Sequence, residues 1–194
     1  MPAHDITTSY YLEPAVMTAP GAFAPLLADL PPGIAAVAEA AHGLLIHEHI
    51  AGSYGVTLTQ EDRASVHIRP VAGLLERITA QDRRPLTVAR TPASRVAGNC
   101  RHFTVLAVAA LRAQGTPARA RCGFGGYFGS GSFEDHWVCE YWNPAAQRWA
   151  LAASRCSTGS PSSPTIPAPP SPTSPPPTPP TTASASPPPS TTPS

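Results

Sequence analysis

The period of the apolar residues changes once along this chain, and that change constrains the fold more than any other feature. From Cys100 to Gly115, the residues Phe103, Leu106, Ala107, Ala110 and Leu111 recur at steps of three and four, the stripe of a buried helix. Gly115 stands at the position just past the helix end, with Pro117 beyond it, so the helix stops there. The period then falls to two. Segments 118–124, 136–142 and 148–152 read as strands, separated by the Gly-rich stretch 125–132 and the turn Asn143-Pro144.

Upstream the pattern is helical. After Pro32-Gly33, the residues Ile34, Val37, Ala38, Ala41, Leu44 and Leu45 define one apolar face that fades near Gly52. A second helix opens at Thr59, an N-cap residue followed by Glu61 and Asp62. A third runs from Pro70 with Val71, Leu74, Leu75 and Ile78 on one side. Pro14, Pro20, Pro25 and the pair Pro31-Pro32 break up residues 1–32, where Tyr10, Tyr11 and Leu12 predict a short strand or a surface clasp. Helices first and antiparallel strands second give an α+β fold, with N-terminal helices and a central Cys-bearing helix on an antiparallel sheet.

Composition sets the domain limits. The last 38 residues, 157–194, hold 15 of the 26 prolines and 18 Ser or Thr, with no charge and no aromatic ring. Such a segment cannot bury enough apolar surface to offset its ordering entropy, so a disordered tail is expected after a folded domain at 1–156. All 13 cations are Arg, and against 12 acids they leave a net charge of +1. That balance argues against a nucleic-acid or membrane partner. No window reaches the ~18 apolar residues of a membrane span. The start, Met1-Pro2-Ala3-His4-Asp5, has neither a basic nor an apolar leader region. Four cysteines (100, 122, 139 and 156) without such a leader predict free thiols and a cytoplasmic protein.

The chemistry is expected at Cys100. Asn99 is a natural N-cap, which places Cys100 in a first helical turn, where unpaired N–H groups and the helix dipole favour an anion. A thiol there is expected to have a lowered pKa and to act as nucleophile, with the same N–H groups stabilising an oxyanion. A small buried hydrophobe is the plainer alternative at that position. His136 opens the second strand and is the candidate base, if the strand comes against the helix start; otherwise it is a structural histidine.

Three motifs in order, Gly98-Asn99-Cys100, Leu111 to Arg119 (LRAQGTPAR) and His136 to Tyr141 (HWVCEY), resemble the core of transglutaminase-like proteins. In that family a Cys at a helix start is followed by "LRxxGxPAR" and by an "HxWxE" strand. The resemblance covers 98–152 and implies a papain-like α+β core with a Cys–His–Asp triad, Cys100 as nucleophile, His136 as base, and no metal or organic cofactor. It implies acyl transfer from, or hydrolysis of, a peptide or a small amide or ester. The triad acid of the family follows a Trp as W-x-x-x-D. Here Trp149 is followed by Ala-Leu-Ala-Ala, so Ala152 or Ala153 stands where the Asp would be, and no acid follows Glu140. The core is therefore expected to be truncated. Because Pro, Ser, Thr and Ala share a second-position C in most codons, a lost reading frame near 152–156 would explain both the missing acid and the tail. The alternative function is a catalytically inactive binding module of the same fold, or a frame-disrupted product.

The remaining signals are weak. His47-Glu48-His49 lacks the HExxH register, because position 51 is Ala, and reads as a solvated helix face. No CxxC pair supports a zinc or redox site. Trp137 and Cys139 alternate with His136 and so read as packing residues, and Asp135 beside His136 points to the wrong face for a triad acid. Arg119 and Arg121 share a strand face, which would suit either an acidic substrate group or plain solvent; the substrate-binding residues stay unassigned.

Overall fold

A computed structural model describes residues 8–126, 131 and 133–152. The expected tail at 157–194, Ala153 and Cys156 lie outside the described residues, as does most of the Gly-rich loop. Among the described residues the element order is α1 (Ala24–Ala28), α2 (Ile34–Leu44), β1 (Leu45–His47), α3 (Gln60–Ala64), α4 (Val71–Gln81), β2 (Val96–Gly98), α5 (Cys100–Ala113), β3 (Ala118–Gly125), β4 (Glu134–Asn143) and β5 (Arg148–Ala152). The α+β class and the central Cys-bearing helix are as the periodicity predicts. None of these helices is long and apolar enough to cross a membrane.

α5 is the axis of the core. Ten consecutive residues, His102 to Leu111, are buried on it, because β3 and β4 cover one side while α2, α1 and α4 cover the other. Full burial of side chains such as Leu106 and Leu111 stabilises the fold by about 2 kcal/mol each. Gly115 takes φ +75°, the left-handed conformation that ends the helix. Just before it, Gln114 Nε2 donates to the carbonyls of Leu30 and Pro31 while its Oε1 accepts from Gly33 N–H. The end of α5 is thus tied to the turn that launches α2.

β3, β4 and β5 form an antiparallel sheet in that order. The ladder pairs Cys122 with Trp137 and Gly123 with His136 on one side, and Cys139 with Ala152 on the other. The face carrying Ala118 (0% exposed) and Cys139 (3%) is buried under α5. The opposite face carries Glu140, whose carboxylate takes Arg119 Nε at 2.7 Å and Arg121 Nη1 at 3.0 Å. Both guanidinium groups are therefore paired with Glu140, that of Arg121 at the surface with its side chain 59% exposed. Arg119 also lies over the Trp149 ring at 4.1 Å and the Tyr11 ring at 5.3 Å. Tyr11 belongs to the N-terminal clasp: its carbonyl accepts Ala118 N–H, and Arg112 donates to the Glu13 carbonyl.

Two features depart from the sequence reading. The helix from Ile34 does not run on towards Gly52; it ends at Leu44 and passes directly into β1. β1 pairs in parallel with β2, with His47 opposite Gly98, so a long-range ladder takes backbone groups that a longer helix would have used. His47-Glu48-His49 is accordingly not a helix face.

Candidate active site

The start of α5 is built by a close approach. Gly98 ends β2 so near the helix that a Cβ there would sit 3.0 Å from His102 Cβ and 3.1 Å from its Cγ. Only glycine lets the strand meet the first turn without displacing that ring. Asn99 then caps the helix from extended backbone. Its N–H donates to His102 Nδ1 at 3.1 Å, and its Oδ1 lies 2.9 Å from the same nitrogen. This is a capping box in which a histidine occupies the place usually held by Glu or Gln. His102 is 2% exposed, and burial, followed by the charge of Arg101, holds its pKa below the usual range. Sequence reasoning passed over His102, although the spacing Asn-x-x-His was the available signal.

Cys100 is half-buried at the head of α5. Its sulfur receives the backbone N–H groups of Trp137 and Arg101, and Asp135 and Cys122 are close enough to act on its charge. α5 and β4 therefore meet at Asp135–Trp137, the segment that contains His136. Among the described residues β5 accompanies β4 as far as Cys139.

The electrostatics contradict the expected thiolate. Burial raises the Cys100 pKa by more than the two N–H groups lower it, and Asp135 and Cys122 raise it further. Desolvation of the charged form outweighs the helix start here. His136 is 7% exposed. Burial lowers its pKa, and Asp135 raises it by less. Both shifts favour a neutral thiol and a neutral imidazole at rest. By strand alternation His136 shares a face with Val138 and Glu140, opposite Trp137, Cys139 and the α5 side.

The missing acid can be placed in part. Ala152 pairs with Cys139 and is 8% exposed on the α5 face, so it is not the position beside His136. Cys139 is a core thiol pushed up to about 12 by burial, as its place in the alternation predicts. No group of three His, Cys, Asp or Glu among the described residues is arranged to hold a metal ion. His47, read from sequence as solvated, is instead half-buried, with its ring 6.4 Å from that of Phe103 and tilted by only 20°.

These environments predict an order of thiol reactivity. At pH 7 iodoacetamide is expected to modify the exposed Cys122 well before Cys100, and Cys139 only on unfolding. In a Cys122→Ser chain, peptide mapping should show Cys100 labelling whose midpoint lies above that of an ordinary thiol, about 8.5. A plateau already reached below pH 7 would contradict the neutral resting state.

Comparison with known proteins gives two matches. Residues 64–152 match the Transglutaminase-like superfamily core. The fold is similar to the crystal structure described as a "Putative Cysteine Protease from Cytophaga hutchinsonii", with 17% identity and a TM-score of 0.47. That alignment covers 78% of this chain and 43% of the other, so this chain spans under half of that protein. No curated protein matches the chain.

Proposed function

We propose that this chain, whose residues 64–152 form a transglutaminase-like superfamily domain, catalyses acyl transfer or hydrolysis through the Cys100 thiol with His136 as base. The substrate class is a peptide or a small amide or ester. The observation that carries this reading is the thiol at the head of α5, held against the His136 segment by the N–H of Trp137. We place the reaction in a reducing, cytoplasmic setting, where Cys100, Cys122 and Cys139 stay as thiols.

The resting pair is neutral, so the proton moves during attack. As sulfur bonds to the acyl carbon, His136, whose side chain leaves β4 on the face away from α5, takes the proton of the thiol, which sits level with the strand at the Trp137 N–H, and the developing oxyanion falls to the Cys100 N–H at the head of α5. Collapse of the adduct breaks the bond to the leaving amine or alcohol, which takes the proton from His136. A thioester remains on Cys100. Water or an amine then attacks it, giving up a proton to His136, and the thiol re-forms. A lowered pKa makes His136 a weak base, and esters whose leaving groups depart without protonation should turn over faster than amides.

The test uses p-nitrophenyl acetate on the full chain. Cys100→Ala is expected to remove turnover, and His136→Ala to lower kcat/KM by about 10²–10⁴-fold, while Cys122→Ser leaves it unchanged. Turnover that survives Cys100→Ala would overturn the reading. The raised thiol and lowered imidazole pKa values favour a second reading, a non-catalytic binding module; a folded parent chain with no turnover on any ester would select it.

A further inference from the structure

β1 contributes a histidine that the proposed mechanism has not used. His47 stands opposite Gly98 in the parallel ladder, two residues before Cys100. The same face of β2 meets α5 at His102, and the His47 ring lies along Phe103 in the first turn of that helix. Three separate relations therefore bring His47 to the head of α5. Its nitrogens are distinguishable. His49 N–H donates to Nδ1 at 3.3 Å, which makes Nδ1 the acceptor and leaves the hydrogen on Nε2. Among the described residues no group hydrogen-bonds that Nε2.

An acyl-transfer site needs donors aimed at the oxygen that becomes an anion, and at the helix start the N–H groups of Arg101, His102 and Phe103 are already engaged, which leaves that of Cys100. We infer that His47 completes this set: its neutral Nε2–H receives the carbonyl oxygen of the substrate as sulfur adds to the carbon. The inference rests on the acyl-transfer reading above and deepens it. Neutrality matters, because His136 has to accept a proton close by. A cationic donor would oppose that step, whereas a neutral imidazole does not. The surroundings maintain neutrality: burial, His49 and His136 all lower the His47 pKa, against an opposing pull from Glu48.

The experiment is ester turnover by the full chain with three substitutions at this position. His47→Phe keeps the ring against Phe103 and removes the donor; its kcat is expected to fall about 10²-fold, with KM little changed. His47→Ala should behave likewise, and His47→Gln, which retains a side-chain N–H, should recover part of the loss. Alkylation of Cys100 by iodoacetamide develops no oxyanion, so its rate is expected to stay the same in all three, whereas a merely structural role would disturb it. If Cys100→Ala abolishes turnover but His47→Phe stays within twofold of the parent, the assignment of His47 is overturned and the acyl-transfer reading stands. Altered alkylation in step with lost turnover also overturns it. No turnover in the parent chain overturns both.

Discussion

Lowering the pH from 7.5 to 5.5 is expected to shift the urea unfolding midpoint sharply downward. His42, His47, His102 and His136 all have pKa values lowered chiefly by burial. Above pH 7 the four are neutral whether the chain is folded or not, and they contribute no pH dependence. As the pH falls through about 6.5, the unfolded chain takes up protons that the folded chain resists, and stability drops until the folded pKa values are reached. His102 and His136, at 2% and 7% exposure, set most of the slope. Each proton withheld weakens the fold by at most about 1.4 kcal/mol per pH unit. Around His102, Arg101 deepens the effect, while Glu48 and the carbonyls of Ile68 and Ser65 oppose it. The carboxylates act in a different window: the pKa of Asp82 is held down to about 2 by Arg84, so its contribution disappears only in stronger acid. His102→Gln supplies the control. It keeps an acceptor for the Asn99 N–H, as a capping box allows, and removes the titrating group, so the pH slope should flatten even if stability at pH 7.5 is somewhat lower. Equal midpoints at pH 7.5 and 5.5 would refute the account.

What the sequence reveals and what it conceals follow from the range of the interactions. α4 was legible to the residue: Val71, Leu74, Leu75 and Ile78 are its buried positions. So was α5, because its stripe, cap and terminal glycine lie within 18 residues. Thr59 is the N-cap that its position predicts, with Asp62 N–H donating to Thr59 Oγ1 at 3.1 Å. The β1–β2 pair was not legible. Each strand has three residues, too few for an alternation to register, and the partners are about fifty positions apart. Leu44-Leu45-Ile46 therefore extends the apolar run of α2 on paper, while the fold spends Leu45 and Ile46 on a ladder. That one misreading hid His47, since a residue assigned to a solvated helix face is not examined as part of a site. The thiol pKa failed for another reason. A helix start is a local property and could be read, but burial depends on β4, which arrives from more than thirty residues away and excludes the water that would stabilise a thiolate.

Returning an acid to β5 is expected to cost the fold dearly at Ala152 and gain no activity. Ala152 faces α5, in line with Cys139, and borders an apolar cavity of about 20 Å³ lined also by Phe103, Thr104 and Ala107. The polar groups there include Thr104 Oγ1, buried without a partner, and the His42 ring, whose pKa burial lowers, and neither brings a charge at pH 7 to offset an ionised carboxylate. Ala152→Asp should therefore lose about 3–5 kcal/mol, the usual result of an uncompensated buried charge, out of a total that for a domain of this size is about 5–15 kcal/mol. Ala152→Asn carries no charge and should lose distinctly less, so the difference between the two urea midpoints isolates the charge from the crowding. Ester turnover should not rise in either, because strand alternation directs position 152 away from the face that bears His136. A stable Ala152→Asp chain with increased kcat would mean that the imidazole turns to the α5 side of β4, where an acid at 152 could orient it. In that event the parity argument fails, and with it the reason for regarding Ala152 as a core position rather than the vacant third place of the triad.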